Sequence, residues 1–143
     1  MIDSSDVARG DAAMMLLHFA YRRVIERPDE ILAQHGLGRV HHRILFCVGR
    51  HPGIRIGQLL KTLDVTKQAL NPPLRQLMQQ RLIAAAVDPG NRRTKMLRLS
   101  ERGVALEERL SGDQRERFLR AFREAGPDAE DTWRRVMRHL AER

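Results

Sequence analysis

Residues 54–99 constrain this chain more than any other stretch. Two short apolar helical patterns, separated by Leu63-Asp64-Val65-Thr66, run straight into a basic segment that alternates like paired strands around Asp88-Pro89-Gly90-Asn91. That order predicts a helix, a turn, a second helix and a β-hairpin wing. The second helix offers Thr66, Lys67, Gln68, Asn71 and Arg75 to solvent, and the hairpin carries Arg92, Arg93 and Lys95. Amide and cationic side chains on a helix that fits a major groove, beside a basic loop, suit recognition of duplex DNA.

The charge distribution supports this reading. The chain carries a net +8, but residues 1–65 hold nine basic and seven acidic side chains, residues 66–100 seven and one, and residues 101–143 ten and ten. The excess therefore sits on the one element pair able to enter DNA grooves, where phosphate binding would weaken with added salt. No apolar run approaches the roughly 20 residues a spanning helix needs. The start, Met1-Ile2-Asp3-Ser4-Ser5-Asp6, lacks the pattern of a signal peptide, so no membrane association and a cytoplasmic location are expected. A lone Cys47 forms no internal disulfide and, between Phe46 and Val48, is expected to pack. His41 and His42 point to different helix faces and no histidine pair has chelating i, i+4 spacing, so no metal or cofactor is expected. Without a nucleotide loop or a nucleophile motif, no enzyme is expected either.

Apolar periodicity outlines the remaining elements. Met14, Leu17, Tyr21, Val24 and Ile25 predict a helix over 11–27, closed by Pro28, and Val40 to Val48 a second one ending at Gly49. Helices over 56–63 and 66–82 follow, the latter with Leu70, Leu74, Leu77 and Met78 on one stripe. Strands over 83–87 and 95–99 precede a long helix capped by Ser100, with Gly112 as a weak point. Gly126-Pro127 separates it from a last helix through Trp133, Val136, Met137 and Leu140. The expected fold is mainly α with a small two-stranded β-wing, an α+β winged helix-turn-helix lobe flanked by N- and C-terminal helices.

Pro72 and Pro73 complicate the recognition helix. A proline in a helix interior removes one backbone hydrogen bond and costs roughly 3 kcal/mol. With Thr66 as the cap, the carbonyls of Gln68 and Ala69 both lose partners; with Asn71 as the cap, both prolines fall in the first turn, although the residue before a proline avoids helical backbone. The expectation is an element bent or broken near Asn71, with 66–70 as a separate turn.

Residues 37–103 resemble the MarR family of bacterial winged-helix regulators. The resemblance is carried by Val65-Thr66-Lys67-Gln68-Ala69-Leu70, by Asp88-Pro89-Gly90-Asn91-Arg92-Arg93, and by Leu97-Arg98-Leu99-Ser100-Glu101-Arg102-Gly103. It implies one MarR-like domain over 1–143, with the DNA-binding lobe at 37–103 and dimerisation helices at 4–30 and 104–143. It further implies a homodimeric repressor that reads a pseudo-palindromic operator and is released by a small-molecule effector. The apolar residues Leu106, Leu110, Phe118, Leu119, Phe122, Trp133, Val136 and Leu140 exceed what a small lobe can bury, as an intermolecular helical interface requires.

By the resemblance, Arg93 stands where the family has its wing-tip arginine, aimed at a narrow minor groove. The family's aspartate two residues earlier is here Asn91, a neutral partner that holds a guanidinium less firmly. The effector cleft is expected to use His18, Arg22, His42 and Phe46, a cationic lining suited to an anionic aromatic ligand. The alternative is a structural or adaptor protein whose winged helix binds DNA non-specifically or binds a protein partner, and the ratio of specific to non-specific affinity separates the two.

Overall fold

Sixteen buried apolar residues set the architecture. They come from the end of one helix, three short helices, a small sheet and the start of a long helix. A computed structural model describes all 143 residues. In chain order the elements are α1 (Ser4–Gln34), α2 (Arg39–Arg50), β1 (Ile54–Arg55), α3 (Ile56–Leu63), α4 (Lys67–Gln79), β2 (Ile83–Asp88), β3 (Asn91–Leu99), α5 (Glu101–Ala125) and α6 (Ala129–Ala141). The core joins Ile31 and Leu32 of α1, Ile44, Leu45 and Val48 of α2, Leu59 of α3, Leu70, Leu74 and Leu77 of α4, Leu97 of β3, and Leu106 and Leu110 of α5. Upstream of Pro28, α1 buries nothing, and α6 buries nothing at all.

The wing has three strands, not two. β1 adds to the hairpin in the order β1-β3-β2, all antiparallel, through Ile54↔Leu97 and Arg55↔Met96. Gly53, at φ +85, makes the turn that brings this two-residue strand alongside, and its N–H donates to Leu97 O at 2.8 Å. A strand of two residues has no periodicity to read, so only the tertiary pairing reveals it. The pairing gives the marginal hairpin a third strand and seats Leu97 in the core. β2 and β3 also run further toward the tip than expected, leaving only Pro89-Gly90 between the paired Asp88 and Asn91.

Pro28 does not end α1. The helix continues to Gln34, with Pro28 inside it and buried. The missing N–H of Pro28 orphans the carbonyl of Val24, and Gln114 Nε2 of α5 donates to that carbonyl at 3.2 Å. A partner 90 residues away in sequence thus repairs the bond that the local rule counts as lost.

The break expected at Asn71 is also absent. α4 is one uninterrupted helix containing both prolines, and its cap is Thr66, whose Oγ1 accepts the Ala69 N–H at 3.1 Å. The two carbonyls left without helical partners belong to Gln68 and Ala69, both exposed residues on the solvent side, where a helix carbonyl can bond water at little cost. On the other side, Leu70, Leu74 and Leu77 are almost fully buried. At about 1.5–3 kcal/mol for each buried leucine, their burial offsets the roughly 3 kcal/mol per proline.

Candidate nucleic-acid interface

The elements needed to present cations to DNA lie next to one another. The first turn of α4 carries Lys67 and Gln68, both exposed, and its positive dipole end points outward behind the Thr66 cap. One turn on, Asn71 and Arg75 line a groove between α4 and the sheet, and Lys95 of β3 faces it from the opposite wall. The groove has a volume of about 470 Å³ and a floor of Ile56, Leu74 and Leu97. Arg92 and Arg93 are exposed at the hairpin tip. Asn71, Arg75 and Lys95 therefore share one groove, while Thr66, Lys67 and Gln68 form the leading edge of α4 one turn upstream and Arg92 and Arg93 stand out at the wing.

None of these cations is neutralised within the chain. The ion pairs of the protein include neither Lys67, Arg75, Arg92, Arg93 nor Lys95. The one acid of residues 66–100, Asp88, is engaged elsewhere: Arg55 donates to its Oδ2 from Nε at 2.8 Å and approaches it from Nη2 at 2.6 Å. Asp88 Oδ1 accepts the Gly90 N–H at 2.9 Å. Sequence reasoning missed Arg55, because nothing in two residues of strand marks a partner 33 positions away.

Asn91 acts differently from expectation. Its Oδ1 accepts the backbone N–H of Arg93 at 3.1 Å, an Asx turn that shapes the tip rather than the guanidinium. The wing is thus anchored by Arg55–Asp88 and shaped by Asn91, and the Arg93 side chain is left for a ligand.

The Gly90 N–H and the Arg55 guanidinium hold the Asp88 carboxyl below the usual carboxylate range. Because the folded value is depressed, the contribution of this anchor is complete above the ordinary carboxylate value and is lost as pH falls through the folded one. The protection of the Gly90 and Arg93 amides, their exchange rates taken relative to the intrinsic rate at each pH, is expected to be constant at neutral pH and to fall selectively below about pH 4. Asp88→Asn should show the lowered protection at every pH. Wing exchange in that variant matching the unaltered chain would remove the anchoring role.

The expected effector residues do not form one site. His42 and Phe46 line a cleft of about 400 Å³ between α1 and α2, with Tyr21, Arg39 and Arg43. Arg22 lines a separate depression with Arg23, Glu26 and Asp29, and His18 is exposed, edge-on to Phe19 at 5.5 Å. Burial holds His42 below the ordinary histidine value despite nearby Glu107, so the neutral ring faces Ser111 Oγ at 3.1 Å. Arg39 is tied to Asp29 at 3.0 Å, whereas Arg43 has no acid partner and brings the positive charge. Cys47 is half-buried against the core and burial raises its thiol, consistent with packing. Behind the cleft, Glu107 is buried, and Arg50 Nη2 lies 2.8 Å from its Oε1.

Comparison with known proteins identifies the same elements elsewhere. Residues 35–94 match the sequence model of the MarR family. The HTH-type transcriptional regulator PetP of Rhodobacter capsulatus is 42% identical over 121 residues, which cover 85% of this chain and 73% of PetP. The crystal structure of MarR is 24% identical with a TM-score of 0.67, over 92% of this chain and 87% of that one. A mutant of MepR from S. aureus, bound to an oligodeoxyribonucleotide, is 21% identical with a TM-score of 0.63, over 90% and 97% of the two chains. No helix of the present chain is long and apolar enough to cross a membrane.

Proposed function

Because this chain belongs to the MarR family and is a helix-turn-helix transcriptional regulator that binds DNA, we propose that it acts as a homodimeric repressor of a pseudo-palindromic operator. The observation that carries this reading is the set of un-neutralised cations on α4 and the wing, placed beside a deep surplus of exposed apolar surface on the terminal helices. Lys67, Gln68, Asn71 and Arg75 enter a major groove and Arg93 the neighbouring minor groove. Arg92 and Lys95 meet the backbone, on half-sites about one helical turn apart.

The dimer follows from the exposed side chains. Met14, Leu17 and Phe19 of α1 are 64%, 50% and 53% exposed, and Val136 and Leu140 of α6 are 58% and 65% exposed. Phe118, Phe122 and Trp133 cluster at centroid distances of 5.3–6.1 Å where α5 meets α6, and Phe118 and Trp133 are each left 36% exposed, open to further cover. A second copy supplies that cover and gives α6 a reason to be so amphipathic. Leu17→Glu would bury an unpaired charge in that interface and is expected to weaken dimerisation by about 100-fold, seen by sedimentation at micromolar protein. Operator affinity falls with it, because two half-sites are then no longer bound as one. A Leu17→Glu protein that sediments as the unaltered chain does would displace α1 from the interface.

The cleft beside α2 is the effector site of this proposal. Neutral His42, Phe46 and Tyr21 accept a ring, and Arg43 faces its anionic group. A ligand there wedges α1 from α2 and favours lobe spacings that do not match DNA. The protein as a whole is tested by selecting genomic fragments at physiological salt and competing them against random duplex. Enrichment of a pseudo-palindrome bound about 10³-fold or more above random sequence is the expected result. Uniform weak binding would instead support a coating or adaptor role.

A further inference from the structure

The recognition helix hangs from the end of α1 by a chain of directional bonds. Gly38 N–H donates to His41 Nδ1 at 3.0 Å, which makes Nδ1 the acceptor and leaves the proton on Nε2. Nε2 then donates to Gln76 Oε1 at 2.9 Å, and that fixes the amide so that Gln76 Nε2 donates to Gly36 O at 3.0 Å. One turn along α4, Gln80 Nε2 donates to His35 O at 3.2 Å. The two accepting carbonyls are consecutive and belong to the closing turn of α1. Gly36 sits there at φ +67 with its N–H on Ala33 O, and Leu37 N–H returns to Leu32 O. They therefore move with α1.

We propose that Gln76, oriented by buried His41 and assisted by Gln80, is a positioning residue that transmits the placement of α1 to α4 and so sets the half-site spacing the protein reads. The inference rests on the dimeric operator-reading function proposed above. Leu70, Leu74 and Leu77 hold α4 down, but apolar contact is non-directional and permits a helix to rock over its stripe. Hydrogen bonds restrict that motion, and here they act on the flank of α4. Pro72 and Pro73 remove two bonds from the helix's own ladder just upstream, which raises the value of external ties. Lys67 lies nine residues from Gln76, a lever of about 13 Å, so a rocking of roughly 10° displaces the leading edge by about 2 Å. α1 carries the exposed apolar face assigned to the dimer, and the relation between two copies of α4 is thereby referred to the dimer axis.

The test compares the full-length chain with Gln76→Leu on the selected operator, on the same operator with one base pair added or removed between half-sites, and on random duplex. For the unaltered chain, a one-pair change is expected to cost tenfold or more, about 1.4 kcal/mol. For Gln76→Leu the expected penalty drops below about threefold, while affinity for random duplex, set by phosphate contacts, is retained. A residue that merely stabilised the lobe would leave the spacing preference of the folded fraction unchanged. Should Gln76→Leu lack a cooperative thermal transition, Gln80→Leu carries the same test and should relax spacing in the same sense. An unaltered spacing preference in the folded variant overturns the positioning role alone. A wild-type chain that selects no operator overturns the operator reading and this inference together.

Discussion

Arg93→Ala is expected to lower operator affinity by about 100-fold, because the dimer loses both wing contacts and each is worth about 1–3 kcal/mol. The structure sharpens the reason. Asn91 spends its oxygen on the Arg93 backbone N–H, and Arg55 takes up the only acid of the wing, so the guanidinium has no intramolecular partner to lose. Its removal therefore leaves the fold intact and appears in binding alone. Because a narrow A-tract minor groove concentrates negative potential, the loss should be greater on operators with A·T-rich flanks than on G·C-rich ones. A DNA titration across several salt concentrations separates this from a general charge effect, since a shed cation also flattens the salt dependence. Affinity equal to the unaltered chain at matched salt would place Arg93 outside the interface.

Gly103→Ala is expected to be the most damaging single methyl group in the lobe. The first turn of α5 packs directly on the chain entering β2. Ser100 N–H donates to Leu82 O at 3.0 Å, Ser100 Oγ donates to Arg81 O at 2.6 Å, and the same Oγ accepts the Gly103 N–H at 3.0 Å. A Cβ on Gly103 would overlap the carbonyl oxygen of Leu82, a backbone atom with no rotamer by which to withdraw. Separating α5 from β2 to make room would pull Leu82, Leu97 and Leu106 out of contact, and a cost of about 3 kcal/mol or more is expected. Thermal unfolding should show it as a midpoint lowered by about 10 °C. Gly112→Ala in the same helix is the control, because no atom lies within 4 Å of that Cβ and the substitution should add up to about 1 kcal/mol of helix stability. A Gly103→Ala protein as stable as the control would mean that the α5–β2 contact opens at little cost.

The three prolines that sequence reasoning treated as breaks illustrate where local rules stop. At Pro72-Pro73 the lost bonds were counted correctly, since Gln68 and Ala69 do lack helical donors, and at Pro28 the same rule orphans Val24. What could not be counted was the compensation: a glutamine from α5 at Val24, and solvent exposure plus three buried leucines around α4. The exposed cation set of the candidate interface was legible because charge and periodicity are properties of neighbouring residues. Arg55, His41 and Gln76 were not, as each acquires its role from a partner 33 to 40 positions away.

The cleft proposed for an effector divides along the same line. His42 and Phe46 lie on one helix four residues apart and face one cleft. His18 and Arg22 share the same spacing on α1, but that helix runs past the cleft and turns them elsewhere. Burial then withdrew the charge expected of His42, and Arg43 supplied it instead.

The sequence by itself determined the type of the principal elements, the apolar stripes, the capping of α5 by Ser100, and the concentration of net positive charge on α4 and the wing. These depend on residues a few positions apart, whose spacing is held by helix and strand geometry. Only the tertiary structure decided that α1 and α4 run unbroken through their prolines, that a third strand pins the wing through Arg55, and that α4 is tied to α1 through Gln76. Those outcomes depend on which distant polar group arrives at an orphaned carbonyl or carboxylate, and that is settled by packing of the whole core.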